Sequence, residues 1–460
     1  MKMMREKVKK KQYEIDMCSG SILGKMLLFA LPLMFSSILQ LLFNAADTIV
    51  VGKFAGDNSL AAVGSNGSLV SLMTNFFMGL SVGANVLVAR HYGAKQEQEV
   101  KDTIHTAMTV SVFSGLLLTV VGVIAARQLL VLMNSPAEVI DLAALYLRIY
   151  FLGMPAMMAY NFGSAILRAV GDTKRPLYYL STAGVINVVL NLIFVIVFKM
   201  DVAGVALATV ISQFVSAILV VRCMIKETGV IHLELKELHI NKASLWMILR
   251  IGLPASLQGI IFSISNVIIQ SSVNTFGAVV VAGNSAAANI EGFVYVAMNT
   301  FYQAAISFES QNVGAGQYKR VNRIAVTAFC CALVTGVVAG NTVLYFGRPL
   351  LSLYTSNPEV MDAGMRRLNV IVRTYALCGV MDVMVGVLRG LGYSVVPMIV
   401  SLIGACGLRL FWIFTFFKMD MFHTITSLYM TYPASWLITL SAHMVCFIVI
   451  RKKLAKKWGT

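Results

Sequence analysis

Long apolar stretches separated by short polar ones run through the whole chain. Each stretch is long enough to form a helix that crosses a membrane, since about 20 apolar residues span the hydrocarbon core. The pattern therefore predicts an all-α membrane protein with twelve transmembrane helices. The predicted spans are residues 26–51, 60–89, 103–126, 139–165, 177–198, 202–225, 245–273, 279–309, 324–346, 362–388, 396–417 and 428–450.

The composition is typical of an integral membrane protein. Of the 460 residues, 58% are hydrophobic and only 13% are charged, and the mean hydropathy is +0.78. A soluble domain has about 25% charged residues. The lipid bilayer is therefore the expected surroundings, and multi-pass insertion in the plasma membrane is the expected location.

The net charge of +16 is distributed unevenly between the predicted loops. Loops on the side of the N-terminus hold 26 Lys and Arg residues, whereas the opposite loops hold 5. Because basic residues accumulate in cytoplasmic loops, we expect both termini to be cytoplasmic. The excess positive charge is thus explained by the membrane topology, and we predict no nucleic-acid partner.

The two halves of the chain repeat each other. A Leu-Arg-x-x-Gly turn contains Arg168 in the first half and Arg389 in the second, and Pro176 and Pro397 follow at the same offset of 221 residues. Six spans per repeat keep both halves in one orientation. We therefore predict two homologous six-helix lobes with a central cleft, where transporters of this kind bind their substrates.

The longest polar interruption divides the chain near its middle. We interpret it as a cytoplasmic connector, with a short amphipathic helix as one option for its structure. The predicted domains are a basic N-terminus (1–25), an N-lobe (26–225), the connector (226–244), a C-lobe (245–450) and a cytoplasmic tail (451–460).

Asp47 is a carboxylate inside the first apolar run. An ionisable residue within a span is costly and is therefore a functional hypothesis by default. Gln40 and Asn44 precede it by seven and three residues and share its helix face, so we expect one polar stripe that meets the cleft. Two interpretations are open: Asp47 couples an ion to transport, or it only forms hydrogen bonds with neighbouring helices.

Polar residues in later spans are further candidates for the substrate cleft. An acidic group attracts a cationic substrate, and an aromatic face binds organic cations. The alternative for Asp382 is a structural ion pair with Arg373 or Arg409, and the same alternative applies to Glu291. The candidates are Asn161, Glu291, Tyr295 and Asp382.

Other functional classes find little support in the sequence. No H-E-x-x-H or P-loop motif is present, which argues against an enzyme, a cofactor and ATP as energy source. A flippase for a lipid-linked or other amphiphilic substrate is the alternative, and it would need a strongly basic cavity. A monomer is sufficient, because the predicted cleft lies between two lobes of one chain.

Three groups of residues resemble one transporter family. They are the motif L-P-x14-D-T-I-V-V-G that begins at Leu31, the paired Leu-Arg-x-x-Gly turns, and the segments N-V-V-L-N from 187 and V-A-G-V-A-L-A-T from 202. Over residues 20–455 the chain resembles the multidrug and toxic compound extrusion (MATE) family. The resemblance implies an antiporter that expels small amphipathic, often cationic organic compounds in exchange for Na+ or H+.

The resemblance also implies a cation site in the N-lobe. The family's Asp, Asn and Thr positions fall on Asp47, Asn187 and Thr209, while Asn191 stands where many relatives carry Asp. Neutral oxygens suit Na+, and a lone carboxylate can instead carry a proton, so both ions fit. Hydrogen bonding between helices is the alternative role of the two Asn and the Thr. Phe262 replaces a Glu of some relatives, so no such site is expected in the C-lobe.

Overall fold

The chain is almost entirely helical. The computed structural model describes residues 13–55, 57–132 and 138–459, and none of these lies in a strand. Ten helices are long and apolar enough to cross a membrane, and two bent helix pairs bring the number of spans to twelve when each pair counts as one. An α-helix can cross the lipid because its backbone hydrogen bonds are formed within the helix itself. The predicted all-α membrane fold is confirmed.

The helices follow one another with short connections. The first half contains α1 (Ile22–Phe54), α2 (Asp57–Gly93), α3 (Glu97–Leu132), α4 (Ile140–Leu152), α5 (Met154–Ala169), α6 (Lys174–Leu192) with a π-helical end (Ile193–Val197), and α7 (Asp201–Lys226). The second half contains α8 (Lys242–Asn274), α9 (Ala278–Gly314), α10 (Tyr318–Tyr345), α11 (Gly347–Ser352), α12 (Pro358–Thr374), α13 (Ala376–Gly390), α14 (Val395–Ser401) with a π-helical end (Leu402–Gly407), α15 (Leu408–Phe414) and α16 (Ile425–Trp458).

The chain forms two compact units, here called the first and second lobes. The first lobe contains Leu31–Gly252 and the segment that ends at Asp16, and the second contains Met17–Ala30 and Leu253–Thr460. The borders within α1 and α8 therefore lie several residues beyond the predicted lobe starts at 26 and 245. At the start of α1, the Phe29 ring packs edge-on against Phe308 at 5.8 Å, which assigns this turn to the second lobe.

The connector between the halves packs on the first lobe. Ile231 and Leu233 are each 1% exposed and belong to the core of that lobe. The backbone N–H of Glu234 donates to His105 Nε2 at 3.2 Å, which ties the connector to α3. Only a single 3-10 turn, Leu235–Glu237, forms in place of the amphipathic helix considered from the sequence.

Each lobe contains one broken span at the same place in its repeat. The chain bends by 48° between α4 and α5, at Gly153, and by 44° between α12 and α13, at Tyr375. These residues are 222 positions apart. In the first lobe Pro155 has no N–H for the carbonyl of Phe151, and Thr119 Oγ1 donates to that carbonyl instead at 2.8 Å. The sequence predicted both spans as unbroken.

Small residues at equivalent positions allow the same close helix contact in both lobes. A Cβ on Gly115 would overlap the backbone of Pro155, and a Cβ on Gly336 would lie 2.7 Å from the Cα of Ala376. Both members of the second pair lie 221 residues after those of the first. The two halves therefore repeat in packing as well as in sequence.

Replacing Gly115 with Ala is expected to destabilise the protein. The added methyl group would meet backbone atoms that cannot rotate away, and overpacking of this kind costs about 1–3 kcal/mol. The midpoint of thermal unfolding in detergent would measure the loss. Gly292→Ala is the matched control, since among the described residues no atom beyond its own stretch of helix lies within 4 Å of the added Cβ. Equal unfolding midpoints for the two variants would contradict the packing argument.

Candidate functional site

Four polar residues in the first lobe form one chain of hydrogen bonds, here called the polar cluster. The side-chain amide of Asn191 donates to Asp47 Oδ1 and, at 3.4 Å, to Asn187 Oδ1. The amide of Asn187 donates in turn to Thr209 Oγ1 at 3.4 Å. The structure thus brings together all four residues that the sequence proposed for a cation site. The cluster joins α1, α6 and α7.

A close approach of α6 to α1 positions the polar cluster. A Cβ on Gly184 would overlap the ring of Phe43, so the absence of a side chain lets the two helices meet there. Phe43 lies one turn before Asp47, and Gly184 lies one turn before Asn187. The helical periodicity then places the amides of α6 beside the carboxylate of α1.

The oxygen atoms of the polar cluster could hold a small cation. Asn191 is fully buried, and its Oδ1 has no hydrogen-bond partner within the described part of the chain. A buried acceptor without a donor is costly, and a cation would satisfy it. Carboxylate, amide and hydroxyl oxygens are ligands for hard cations such as Na+. The Asp47 carboxylate could alternatively take up a proton.

The π-helical segment Ile193–Val197 begins two residues after Asn191. Such segments widen the helix locally, and they occur frequently at functional sites. This change could not be predicted from the sequence, because a run of apolar residues such as Ile193–Val197 is equally compatible with an ordinary α-helix.

The other first-lobe candidates lie outside the polar cluster. Gln40 and Asn44 are exposed on α1, and Asn161 is half-buried on α5. Within the described residues none of the three forms a side-chain hydrogen bond with the cluster. Their predicted place in a substrate cleft stays a prediction.

Glu291 lies in a buried ion pair in the second lobe. Arg367 Nε donates to Glu291 Oε1 at 2.9 Å, and Arg367 Nη2 donates to Oε2 at 2.8 Å. Glu291 is 3% exposed and Arg367 is 8% exposed. Both carboxylate oxygens of Glu291 therefore accept hydrogen bonds from Arg367, which agrees with the interpretation of Glu291 as part of a structural ion pair. The sequence analysis missed Arg367 as the partner, although both residues stand within predicted spans.

Asp382 and Tyr295 meet in the second lobe, as expected for two residues of one site. The Tyr295 hydroxyl lies beside the Asp382 carboxylate. Neither of the two arginines considered from the sequence pairs with Asp382. Arg373 is exposed, and the buried Arg409 donates through Nε to Ser435 Oγ at 2.8 Å.

Aromatic rings connect Asp382 with the ion pair of Glu291. The guanidinium of Arg409 lies 4.2 Å from the ring centre of Tyr432, a cation–π contact that stabilises a buried charge without a carboxylate. Sequence analysis missed these rings, since aromatic residues are frequent in every span. The successive contacts are Tyr295 to Tyr375 at 6.4 Å, Tyr375 to Trp436 at 5.4 Å, Trp436 to Arg409 at 5.6 Å, and Tyr432 to Arg367 at 5.7 Å.

Two repeated six-span lobes, with polar side chains joined inside the spans, are the architecture of a secondary transporter. The MatE family model matches residues 32–193 and 254–415, two stretches that begin 222 residues apart. The chain therefore belongs to the multidrug and toxic compound extrusion (MATE) family. Members of this family are transporters and not enzymes.

Similar proteins cover nearly the whole chain. A probable multidrug resistance protein of Bacillus subtilis, YoeA, is 28% identical over 430 residues, which are 91% of this chain and 92% of YoeA. A second one from the same organism, YpnP, is 29% identical over 398 residues, which are 86% of this chain and 88% of YpnP. A solved outward-facing multidrug resistance MATE transporter superposes with a TM-score of 0.88 at 21% identity, over 96% of this chain and 98% of that one. This last similarity confirms the two-lobe fold.

Removing Arg367 alone is expected to be strongly destabilising. Arg367→Met leaves the Glu291 carboxylate buried without its partner, which costs about 3–5 kcal/mol. The double variant Glu291→Met with Arg367→Met should recover most of the unfolding midpoint, because an apolar pair has no charge to desolvate. Arg373→Gln, an exposed arginine of the same helix, serves as control. A single variant as stable as the double variant would show that the pair is not structural.

Proposed function

We propose that this protein is a cation-coupled antiporter. It exports small amphipathic, often cationic drugs and toxic organic compounds by alternating access, in exchange for Na+ or H+. The observation that carries the proposal is the polar cluster, in which Asp47 meets Asn191, Asn187 and Thr209 within the spans of one lobe. Membership of the MATE family and the names of the Bacillus relatives support it.

The hydrogen bonds of the polar cluster offer a way to couple the ion to the helices. The Asp47 carboxylate accepts a hydrogen bond from α6 through Asn191. A bound ion or proton changes the charge of that acceptor, and with it the strength of the link between α1 and α6. Ion binding can then favour one of two helix arrangements, which is what exchange transport requires.

Asn191 makes the ion of this protein harder to assign than in relatives with Asp at that position. One carboxylate fewer lowers the negative charge offered to Na+. Asn187 and Asn191 still supply amide oxygens, so Na+ and H+ are both kept as the coupling ion.

The substrate side of the proposal rests on the second lobe. Asp382 has an acidic group beside the hydroxyl and ring of Tyr295, which suits an amphipathic organic cation. Glu291 is left out of this role because Arg367 occupies its carboxylate. Gln40, Asn44 and Asn161 are proposed as further polar lining of the cleft.

The proposed orientation places both termini in the cytoplasm, in the plasma membrane. It is supported by the excess of Lys and Arg in the loops on the side of the N-terminus. Twelve spans keep both termini on one side. A monomer suffices for transport, since one chain supplies both lobes.

A flippase for a lipid-linked or other amphiphilic substrate is the second candidate. Arg409 favours it, because no carboxylate lies within 4 Å of this buried cation among the described residues, and a phosphate could supply the missing charge. The rings of Tyr432 and Trp436 already stabilise the guanidinium, however. The antiporter is therefore the stronger proposal.

Asp47→Asn is expected to reduce ion-driven export to background. The amide keeps the size of the side chain and removes the charge that binds the ion. The measurement is efflux of a fluorescent organic cation from proteoliposomes, first under a Na+ gradient alone and then under a pH gradient alone. Asp201→Asn, an exposed acid at the start of α7, is the control and should transport normally. Undiminished gradient-driven efflux by Asp47→Asn would contradict the proposed role.

The same assay separates the two ions and the two candidate functions. Transport driven by Na+ would mean that one carboxylate and neutral oxygens suffice for a metal ion, and Asn191→Asp should then lower the Na+ concentration needed for half-maximal transport. Transport driven only by pH would mean that Asp47 works as a proton carrier. No transport under either gradient would favour the flippase.

A further inference from the structure

A groove of about 530 Å³ opens in the second lobe where α1 and α10 begin. The groove contains none of the residues of the polar cluster and neither Asp382 nor Tyr295, so the roles proposed for those residues do not account for it. The lining residues that matter here are Ser21, Ile22, Arg320, Arg323, Val326 and Thr327.

One wall of the groove is held in place by Arg320. Its guanidinium donates to the carbonyl oxygen of Gly20 at 3.2 Å, to that of Ser19 at 3.3 Å, and to Asn312 Oδ1 at 3.2 Å. These acceptors are neutral, so the positive charge is not cancelled. Over the described ranges, no Asp or Glu oxygen lies within 4 Å of Arg320 or Arg323.

The groove continues into an apolar stripe on the outside of α10. Arg323 is exposed, and the exposed residues that follow it on the same helix face are apolar or weakly polar. Val326 is 62% exposed and Val334 is 60% exposed. The spacing of three or four residues keeps the stripe on one side of the helix. The stripe contains Arg323, Val326, Cys330, Val334 and Val337.

We propose that this groove binds the headgroup of an anionic phospholipid, whose acyl chains lie along the stripe. Arg323 is well suited to phosphate, because the planar fork of an arginine donates two hydrogen bonds to two oxygens. The fork of Arg320 already donates to Gly20 and Ser19, so Arg320 contributes its positive charge. Basic pockets at the ends of membrane helices are known to bind anionic headgroups. A soluble phosphate would use the arginines but not the apolar stripe, which favours a lipid as the occupant.

The position of the groove along the helices fits a headgroup. Ile22 opens the apolar run of α1, and Val326 opens the exposed apolar face of α10, so both mark the start of the hydrocarbon region. Arg320 and Arg323 precede it by one or two turns. The charges therefore lie at the depth of lipid phosphates. This assignment does not depend on what the protein transports.

The test is a lipid titration of the purified full-length protein in mild detergent, read out as the unfolding midpoint. Phosphatidylglycerol should raise the midpoint. Phosphatidylcholine with the same acyl chains and the soluble headgroup analogue glycerol phosphate should not. Arg323→Gln should require about fivefold more phosphatidylglycerol, the effect of one basic residue at an anionic membrane surface.

Two control variants distinguish the groove from a general effect of charge. Arg323→Lys keeps the charge but loses the planar fork, so it should fall between the wild type and Arg323→Gln. Lys319→Gln removes an exposed cation of the same helix that does not line the groove, and it should leave the titration unchanged. The proposal is overturned if Arg323→Gln titrates like the wild type, if Lys319→Gln shifts as much as Arg323→Gln, or if glycerol phosphate stabilises as well as the lipid.

Discussion

Close contact between helix backbones is the constraint on which this structure depends. Lipid tails are as apolar as the side chains they touch, so helices in a membrane gain little from hydrophobic burial and associate through packing and polar contacts. Gly115 and Gly336 provide such contacts at equivalent places in the two lobes. Gly184 does the same against Phe43, and this contact brings the amides of α6 to Asp47. The site is thus a product of packing.

The spans and the repeat could be predicted from the sequence because both are carried by regular patterns. An apolar run of about 20 residues defines a span, and matches at one offset define a duplication. Pro155 is a signal in the sequence for the break at Gly153, but the break at Tyr375 could not be predicted, since no proline lies near it. That residues 17–30 belong to the second lobe could not be predicted from the sequence either. Contacts such as that of Phe29 with Phe308 join residues that are far apart in the chain.

The candidate site was predictable to different degrees in the two lobes. In the first lobe, the family resemblance and the lone carboxylate Asp47 led to residues that the structure joins by hydrogen bonds. In the second lobe, Asp382 and Tyr295 were found by charge and ring character, but Arg367 was not. The sequence does not indicate which arginine pairs with Glu291, because the pairing depends on how α9 packs against α12.

The two lobes are duplicates, yet Ile269 stands in the second where Asp47 stands in the first. Under the proposed function, the coupling site therefore lies in the first lobe alone, and we consider a cycle in which this site carries one ion. Export of a drug with a single positive charge against one Na+ or one proton then moves no net charge across the membrane. Such exchange is electroneutral, and the membrane potential contributes nothing to it. The concentration gradient of the ion has to supply all of the driving force.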